Sequence, residues 1–165
     1  MKEGFYKIFE DKFRGDRETI KKRLEVYLPF INTLKSIHNE TTAIDLGCGR
    51  GEWLELLEEE GVSARGIDLD DGMLSVCRAR NLQVELADAL SFIKTIEDET
   101  VSVVSAFHVV EHVTFNTLLN LVEESLRVLR PGGLLILETP NPENIIVSTS
   151  NFYLDPRHEK PVPPL

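Results

Sequence analysis

Apolar positions change period several times along the chain. Over 17–37, Ile20, Leu24, Tyr27, Leu28, Ile31 and Leu34 recur at helical spacing, and Pro29 is expected to kink or interrupt that run. TTAIDLG then reads as a short buried strand over about 42–46 that stops at glycine. GEWLELLEEE follows as a helix closed by Gly61, and VSARGIDLD as a second strand ending in acids. DGMLSVCRAR is a helix with Asp70 or Asp71 as its N-cap, LQVELADAL a third strand and its exit, and LSFIKTI a short helix. A fourth strand lies at about 101–107. TFNTLLNLVEESLRVLR is an amphipathic helix with Leu118, Leu121, Val122, Leu126 and Leu129 along one stripe. Arg130-Pro131-Gly132-Gly133 turns the chain into LLILETP, a fifth strand.

Strands alternating with helices at this spacing predict an α/β fold. The expected form is a doubly wound parallel sheet of about five strands, with helices on both faces and a helix at the N-terminal end. Ligands of such sheets bind at the carboxyl ends of the strands, where strand order reverses. Gly47, Asp68, Asp88, Phe107 and Thr139 stand at those ends. After Pro140 the chain turns proline-rich and loses its periodicity. One domain is expected over 1–165: a helical cap to residue 40, a core over 41–140, and an acceptor-side tail over 141–165 that reads as cut short. A curtailed sheet would leave its fifth strand unpaired, a potential homodimer edge.

Composition narrows the classes. A chain of 165 residues, 42% hydrophobic and 28% charged, is an ordinary globular protein rather than a disordered or fibrous one. No apolar run approaches the roughly 18 residues of a membrane span, and the start lacks an apolar signal core. Cys48 and Cys77 form no metal pattern or disulfide framework, so a reducing, cytoplasmic setting is expected. The net charge is −10, yet residues 1–23 hold eight Lys/Arg against five Asp/Glu. The acidic body repels bulk nucleic acid, while the basic head suits a single phosphate or carboxylate.

The chemistry concentrates at the strand ends. Asp45-Leu46-Gly47-Cys48-Gly49-Arg50-Gly51 joins a strand to a helix, where glycines admit positive φ and close ligand approach. Glu52 stands where a dinucleotide fingerprint needs its last glycine. Gly66-Ile67-Asp68-Leu69-Asp70 ends the second strand, and Asp68 is placed to accept hydrogen bonds from two ribose hydroxyls. Ala87-Asp88-Ala89-Leu90 follows the third strand, and Phe107-His108-Val109-Val110-Glu111-His112 the fourth.

The glycine turn with its leading acid resembles motif I of class I S-adenosylmethionine (SAM)-dependent methyltransferases. The resemblance runs from about residue 42 to 139 and implies a Rossmann-like sheet with SAM as cofactor. It implies that Asp45, Gly47, Cys48 and Gly49 face the cofactor's amino-acid end. Asp68, Leu69 and Met73 would meet the ribose side; Asp88, Ala89 and Leu90 the adenine; Phe107 and His108 the methionine part. The ends FYKIFEDKFRGDRETIK and SNFYLDPRHEKPVPP look like segments of methyltransferases associated with polysaccharide and lipopolysaccharide O-antigen loci. That likeness implies O-methylation of a glycan, glycolipid or glycan phosphate. Alternatives are a small-molecule or quinone O-methyltransferase and a SAM-binding module without catalysis.

A hydroxyl acceptor benefits from a general base, and histidine titrates nearest neutrality. His112 and His158 are the expected catalytic residues, with His112 one helical turn beyond His108 and on its face. Arg14, Arg17 and Tyr153 are expected to hold the SAM carboxylate or an acceptor anion. Trp53 is read as core of its helix. A metal on His108, Glu111 and His112, with His158 as fourth ligand, is not adopted. Some relatives carry a Glu-rich version near this position, and His108 in place of the first acid disfavours a hard Mg²⁺ ion.

Overall fold

The structure is a computed structural model and describes residues 15–163. Helix α1 (Arg17–Leu24) is capped by Asp16, whose carboxylate accepts from the Thr19 N–H at 2.9 Å. A 3₁₀ turn at Glu25–Tyr27 separates it from α2 (Leu28–Ile37), so Pro29 interrupts the predicted run where it costs no hydrogen bond, in the first turn of a new helix. Next come β1 (Thr42–Leu46), α3 (Glu52–Glu59), β2 (Ser63–Asp68), α4 (Asp71–Arg78), β3 (Val84–Leu86) and α5 (Ala89–Ile93). Then follow β4 (Val101–Phe107), a 3₁₀ turn at Val110–His112, α6 (Phe115–Val128) and β5 (Leu129–Glu138). The short helix α7 (Ile145–Thr149) and a 3₁₀ turn at Asn151–Leu154 complete the described chain.

The five strands are all parallel in the order β3-β2-β1-β4-β5. Order reverses between β1 and β4, so the loops leaving those two strands open the crevice in which such sheets bind ligands. Side chains alternate across the sheet, and each face therefore has its own core. Ala43, Ala64, Val103 and Ile136 point to one layer with α1 to α4, around Trp53, Leu54 and Leu57. Ile44, Ile67, Val104 and Ala106 point to the other, with Phe92, Ile93, Leu121 and Val128 from α5 and α6. Among the described residues β3 and β5 are the sheet's edges, and no helix is long and apolar enough to cross a membrane.

Two local expectations are corrected. Leu126 is 61% exposed, and Ser125 and Val128 take the buried positions beside Leu121. Ser125 fits there because its hydroxyl donates back to the Leu121 carbonyl at 2.6 Å. Arg130-Pro131-Gly132-Gly133 is not a turn ahead of the fifth strand but an irregularity inside it. Leu129 pairs with Val101, and Leu134 with Val103, so the four residues between loop out of the ladder.

Leu57 is fully buried in the first core. Leu57→Ala is expected to lower stability by about 2–5 kcal/mol. Urea unfolding would show the midpoint falling while the slope stays unchanged.

Candidate active site

The glycine turn is built by the backbone. Gly47, Gly49 and Gly51 have φ of 74°, 53° and 76°, in the left-handed region where a side chain strains the chain. A Cβ on Gly47 would lie 2.3 Å from Val109 Cγ2, so the Val109 side chain of the loop after β4 packs directly on the Gly47 backbone. The N–H groups of Gly47 and Cys48 both donate to the Ile67 carbonyl, at 2.7 and 3.0 Å. Asp68 accepts from the Gly49 N–H at 2.8 Å with one oxygen and from the Asp70 N–H at 2.8 Å with the other. A carboxylate has about four acceptor sites, so two remain for ribose hydroxyls.

Around this turn the predicted cofactor residues divide into supports and exposed contacts. Asp45 is 2% exposed and accepts from the Ser105 hydroxyl at 2.7 Å. The Cys48 thiol, hydrogen-bonded to Cys77 and buried, is pushed well above its usual range and stays a neutral thiol. Leu69 is 72% exposed beside Asp68 and Met73 is buried. Asp88 caps α5 by accepting from the Ser91 N–H at 2.8 Å, while Ala89 and Leu90 pack partly buried against the second core.

On the other side of the turn lies a cavity of about 100 Å³. Asp45, Gly47, Cys48 and Glu52 form one wall, and Trp53, Phe107 and His108 another; Ile20, Arg23, Leu24 and Glu138 close it. The Phe107 ring packs on Tyr27 and Trp53 at centroid distances of 5.4 and 5.5 Å. Tyr27 donates to Glu138 Oε2 at 2.6 Å; burial and that carboxylate both raise its hydroxyl pKa, so it remains a donor. His108 sits at φ 58°, with Nδ1 3.2 Å from Glu111 Oε1 and Nε2 3.4 Å from Glu138 Oε1. Glu111 is fully buried and also accepts from the Thr139 hydroxyl at 3.0 Å. Burial works against its charge, yet the His108 hydrogen bond, its own backbone N–H and the nearby imidazoles hold its pKa below the ordinary value.

Several expected residues lie elsewhere. Positive φ at His108 and the 3₁₀ turn after it take His108 and His112 off any common helical face. His112 packs instead against His158, ring centroids 4.6 Å apart and tilted by 53°, and neither lines the cavity. Arg17 does not line the cavity: it donates to the Arg50 and Gly51 carbonyls at 2.8 and 3.3 Å and pairs with Glu55 at 2.9 Å, bracing the turn from α1. Tyr153 is 68% exposed and packs only its edge against Phe152. Arg14 lies outside the described residues. Trp53 is core, as expected, and lines the cavity as well. Arg23, Tyr27 and Glu138 were not singled out by the sequence. Arg23 belongs to the basic head that suggested an anion site; Tyr27 reads as an ordinary apolar position of the helical run, and Glu138 as a polar strand end.

A parallel sheet of this order, with a glycine turn at its switch point and a carboxylate ending the next strand, defines a nucleoside-binding α/β protein. Residues 44–137 match the methyltransferase domain family. A SAM dependent methyltransferase from Archaeoglobus fulgidus is 36% identical in sequence and superposes with a TM-score of 0.86, over 97% of this chain and 69% of that one. A probable S-adenosylmethionine-dependent methyltransferase of Mycolicibacterium smegmatis is 33% identical over 98 residues, 59% of this chain and 37% of that protein. The ubiquinone biosynthesis O-methyltransferase of Hydrogenovibrio crunogenus is 30% identical over 120 residues, 69% of this chain and 48% of that protein. The chain therefore belongs to the SAM-dependent methyltransferase family, and it spans between a third and a half of the length of these two curated relatives.

Asp68→Ala removes an acceptor from both the turn and the ribose position. SAM affinity is expected to fall by about 1–3 kcal/mol, with Asp68→Asn intermediate, read by calorimetric titration. Wild-type affinity in Asp68→Ala would place the ribose elsewhere.

Proposed function

We propose that this chain binds SAM across the carboxyl ends of β1, β2 and β3 and transfers its methyl group to a neutral hydroxyl, most readily that of a glycan. The glycine turn, held at positive φ with Asp68 keeping two acceptor sites beside it, fits the cofactor. Asp68 and Leu69 would hold the ribose, Asp88, Ala89 and Leu90 the adenine, and the Gly47–Gly49 backbone the amino-acid end. Arg23, on the cavity wall and without an ion pair among the described residues, is suited to the carboxylate.

SAM supplies an electrophilic methyl on a positively charged sulfur. The chain's own work is to align an acceptor and exclude water. The aromatic cluster of Tyr27, Trp53 and Phe107 makes a dry wall for that purpose. Asp45, Glu52 and Glu138 outnumber Arg23 around the cavity, which favours a sulfonium and opposes a phosphate acceptor through like-charge repulsion. A neutral hydroxyl is compatible with that lining.

The observation that carries the oxygen-acceptor reading is the His108–Glu111 pair. Nδ1 stands against the buried Glu111 and Nε2 lies 3.4 Å from Glu138 Oε1 on the cavity wall, so an imidazole that takes the hydroxyl proton there would be stabilised as a cation by both carboxylates. This moves the base from His112 to His108. The glycan acceptor rests on the resemblance of the two chain ends to polysaccharide-associated methyltransferases. The quinone O-methyltransferase among the relatives favours a phenolic or other small-molecule hydroxyl as the second reading.

Incubation with SAM carrying a labelled methyl, against a panel of oligosaccharides and catechols, separates the readings. Label on a sugar oxygen is expected. Label on catechol alone would favour the second reading, and SAM binding without transfer to any acceptor would mark a non-catalytic module. His108→Ala is expected to lower kcat by about 10²-fold or more while SAM affinity stays within a few-fold of wild type.

A further inference from the structure

Behind the glycine turn, on the side of α4, two buried cysteines meet. Cys77, 0% exposed, comes from the last turn of α4, and its thiol is in hydrogen-bond contact with that of Cys48. Glycines make the room for the two sulfurs. A Cβ on Gly51 would lie 2.9 Å from Cys77 Sγ, and one on Gly66 would lie 2.7 Å from Cys48 Sγ.

The Cys77 thiol donates to the Gly49 carbonyl at 3.3 Å, across 28 residues of sequence. No backbone N–H among the described residues donates to that carbonyl, so the thiol satisfies a buried acceptor that would otherwise be orphaned. A thiol suits the place because it carries one donor on a small, largely apolar body. The other polar group of Gly49, its N–H, goes to Asp68 at 2.8 Å. Both groups of Gly49 are therefore held by one stretch of chain, Asp68 at the end of β2 and Cys77 on the helix that follows. The Asp70 N–H donates to Asp68 and the Asp70 carboxylate caps α4, which fixes where that helix starts and keeps the two grips at a constant spacing.

Gly49 needs both grips. At φ 53° it occupies one of several conformations that glycine adopts at no steric cost. The bond to Asp68 fixes the peptide before Gly49 and the bond from Cys77 the peptide after it, so together they lock the two torsions that are otherwise free. We propose that Cys77 is a positioning residue for the cofactor: its hydrogen bond to the Gly49 carbonyl holds the glycine turn in the shape that keeps the Gly49 N–H on Asp68 and the open acceptor sites of that carboxylate on the rim. The inference rests on the reading that SAM lies across this turn. Cys77 itself is fully buried and absent from the cavity wall, and it acts through Gly49.

Two measurements on the whole chain test it. Amide hydrogen exchange at Gly49 without ligand, taken relative to Ile44 in the middle of β1, reads the lock. Calorimetric titration with SAM reads its consequence. Cys77→Ala, which removes the donor, is expected to speed Gly49 exchange relative to Ile44 about tenfold and to weaken SAM binding about tenfold. Cys77→Ser restores a donor and is expected to keep both within about threefold of wild type, even where it lowers the melting temperature as much as alanine does. Leu74→Ala opens a fully buried apolar position on the same helix. It is expected to lower the melting temperature and leave both readouts as in wild type. Either readout at its wild-type value in Cys77→Ala would overturn the proposal. So would losses in Cys77→Ser or Leu74→Ala as large as those in Cys77→Ala. Failure of the wild type to bind SAM would overturn the cofactor reading and with it the role of Cys77 toward a ligand, and the exchange ratio would then tell whether the lock itself exists.

Discussion

The hydrogen bond from the Gly49 N–H to Asp68 holds the site together. It joins the loop after β1 to the end of β2, and with the two N–H groups donated to the Ile67 carbonyl it sets the shape of the glycine turn. The rim carrying the glycine turn is thus an extension of strand pairing, rigid because parallel strands on either side are buried on both faces. One carboxylate organises the turn and keeps acceptor capacity for a ligand, so shape and recognition share a side chain.

A second constraint comes from the other side of the switch point. Gly47 touches Val109, which fixes how far the loop after β4 can rise, and His108 takes positive φ just before it. That strained backbone turns the imidazole toward Glu138 and leaves Glu111 beneath it. Non-glycine residues in this conformation persist where surrounding contacts over-determine them. Here Glu111, Thr139 and Glu138 supply those contacts. Helix α1 then braces the turn from outside through Arg17, so the basic N-terminal segment serves the site's structure before it serves any ligand.

How much was legible in the sequence depends on the range of the interactions involved. The strand–turn–helix order, the boundaries of β1 and β4 and the break at Pro29 follow from local chemistry, and the structure has them as read; of the two acids expected to cap α4, Asp70 does so. Leu126 was misread because stripe counting on α6 does not know which flank meets the sheet; the sheet met Ser125 and Val128 instead. Arg17 was misread because a free guanidinium and one donating to carbonyls 33 and 34 residues away look alike in sequence. His108 and His112 were assumed to share a helix, an assumption that one left-handed residue removed.

The sequence by itself determined the alternating architecture, the position of the glycine turn, and the acid at the end of the second strand, because glycine's freedom and hydrophobic period act over a few residues. Only the tertiary structure decided which side chains meet across the switch point. The Glu111–His108 pair, the Tyr27–Glu138 contact across 111 residues, and the convergence of His158 with His112 arise from strand order and from the path of the tail. Those depend on packing between distant segments, which no local pattern encodes.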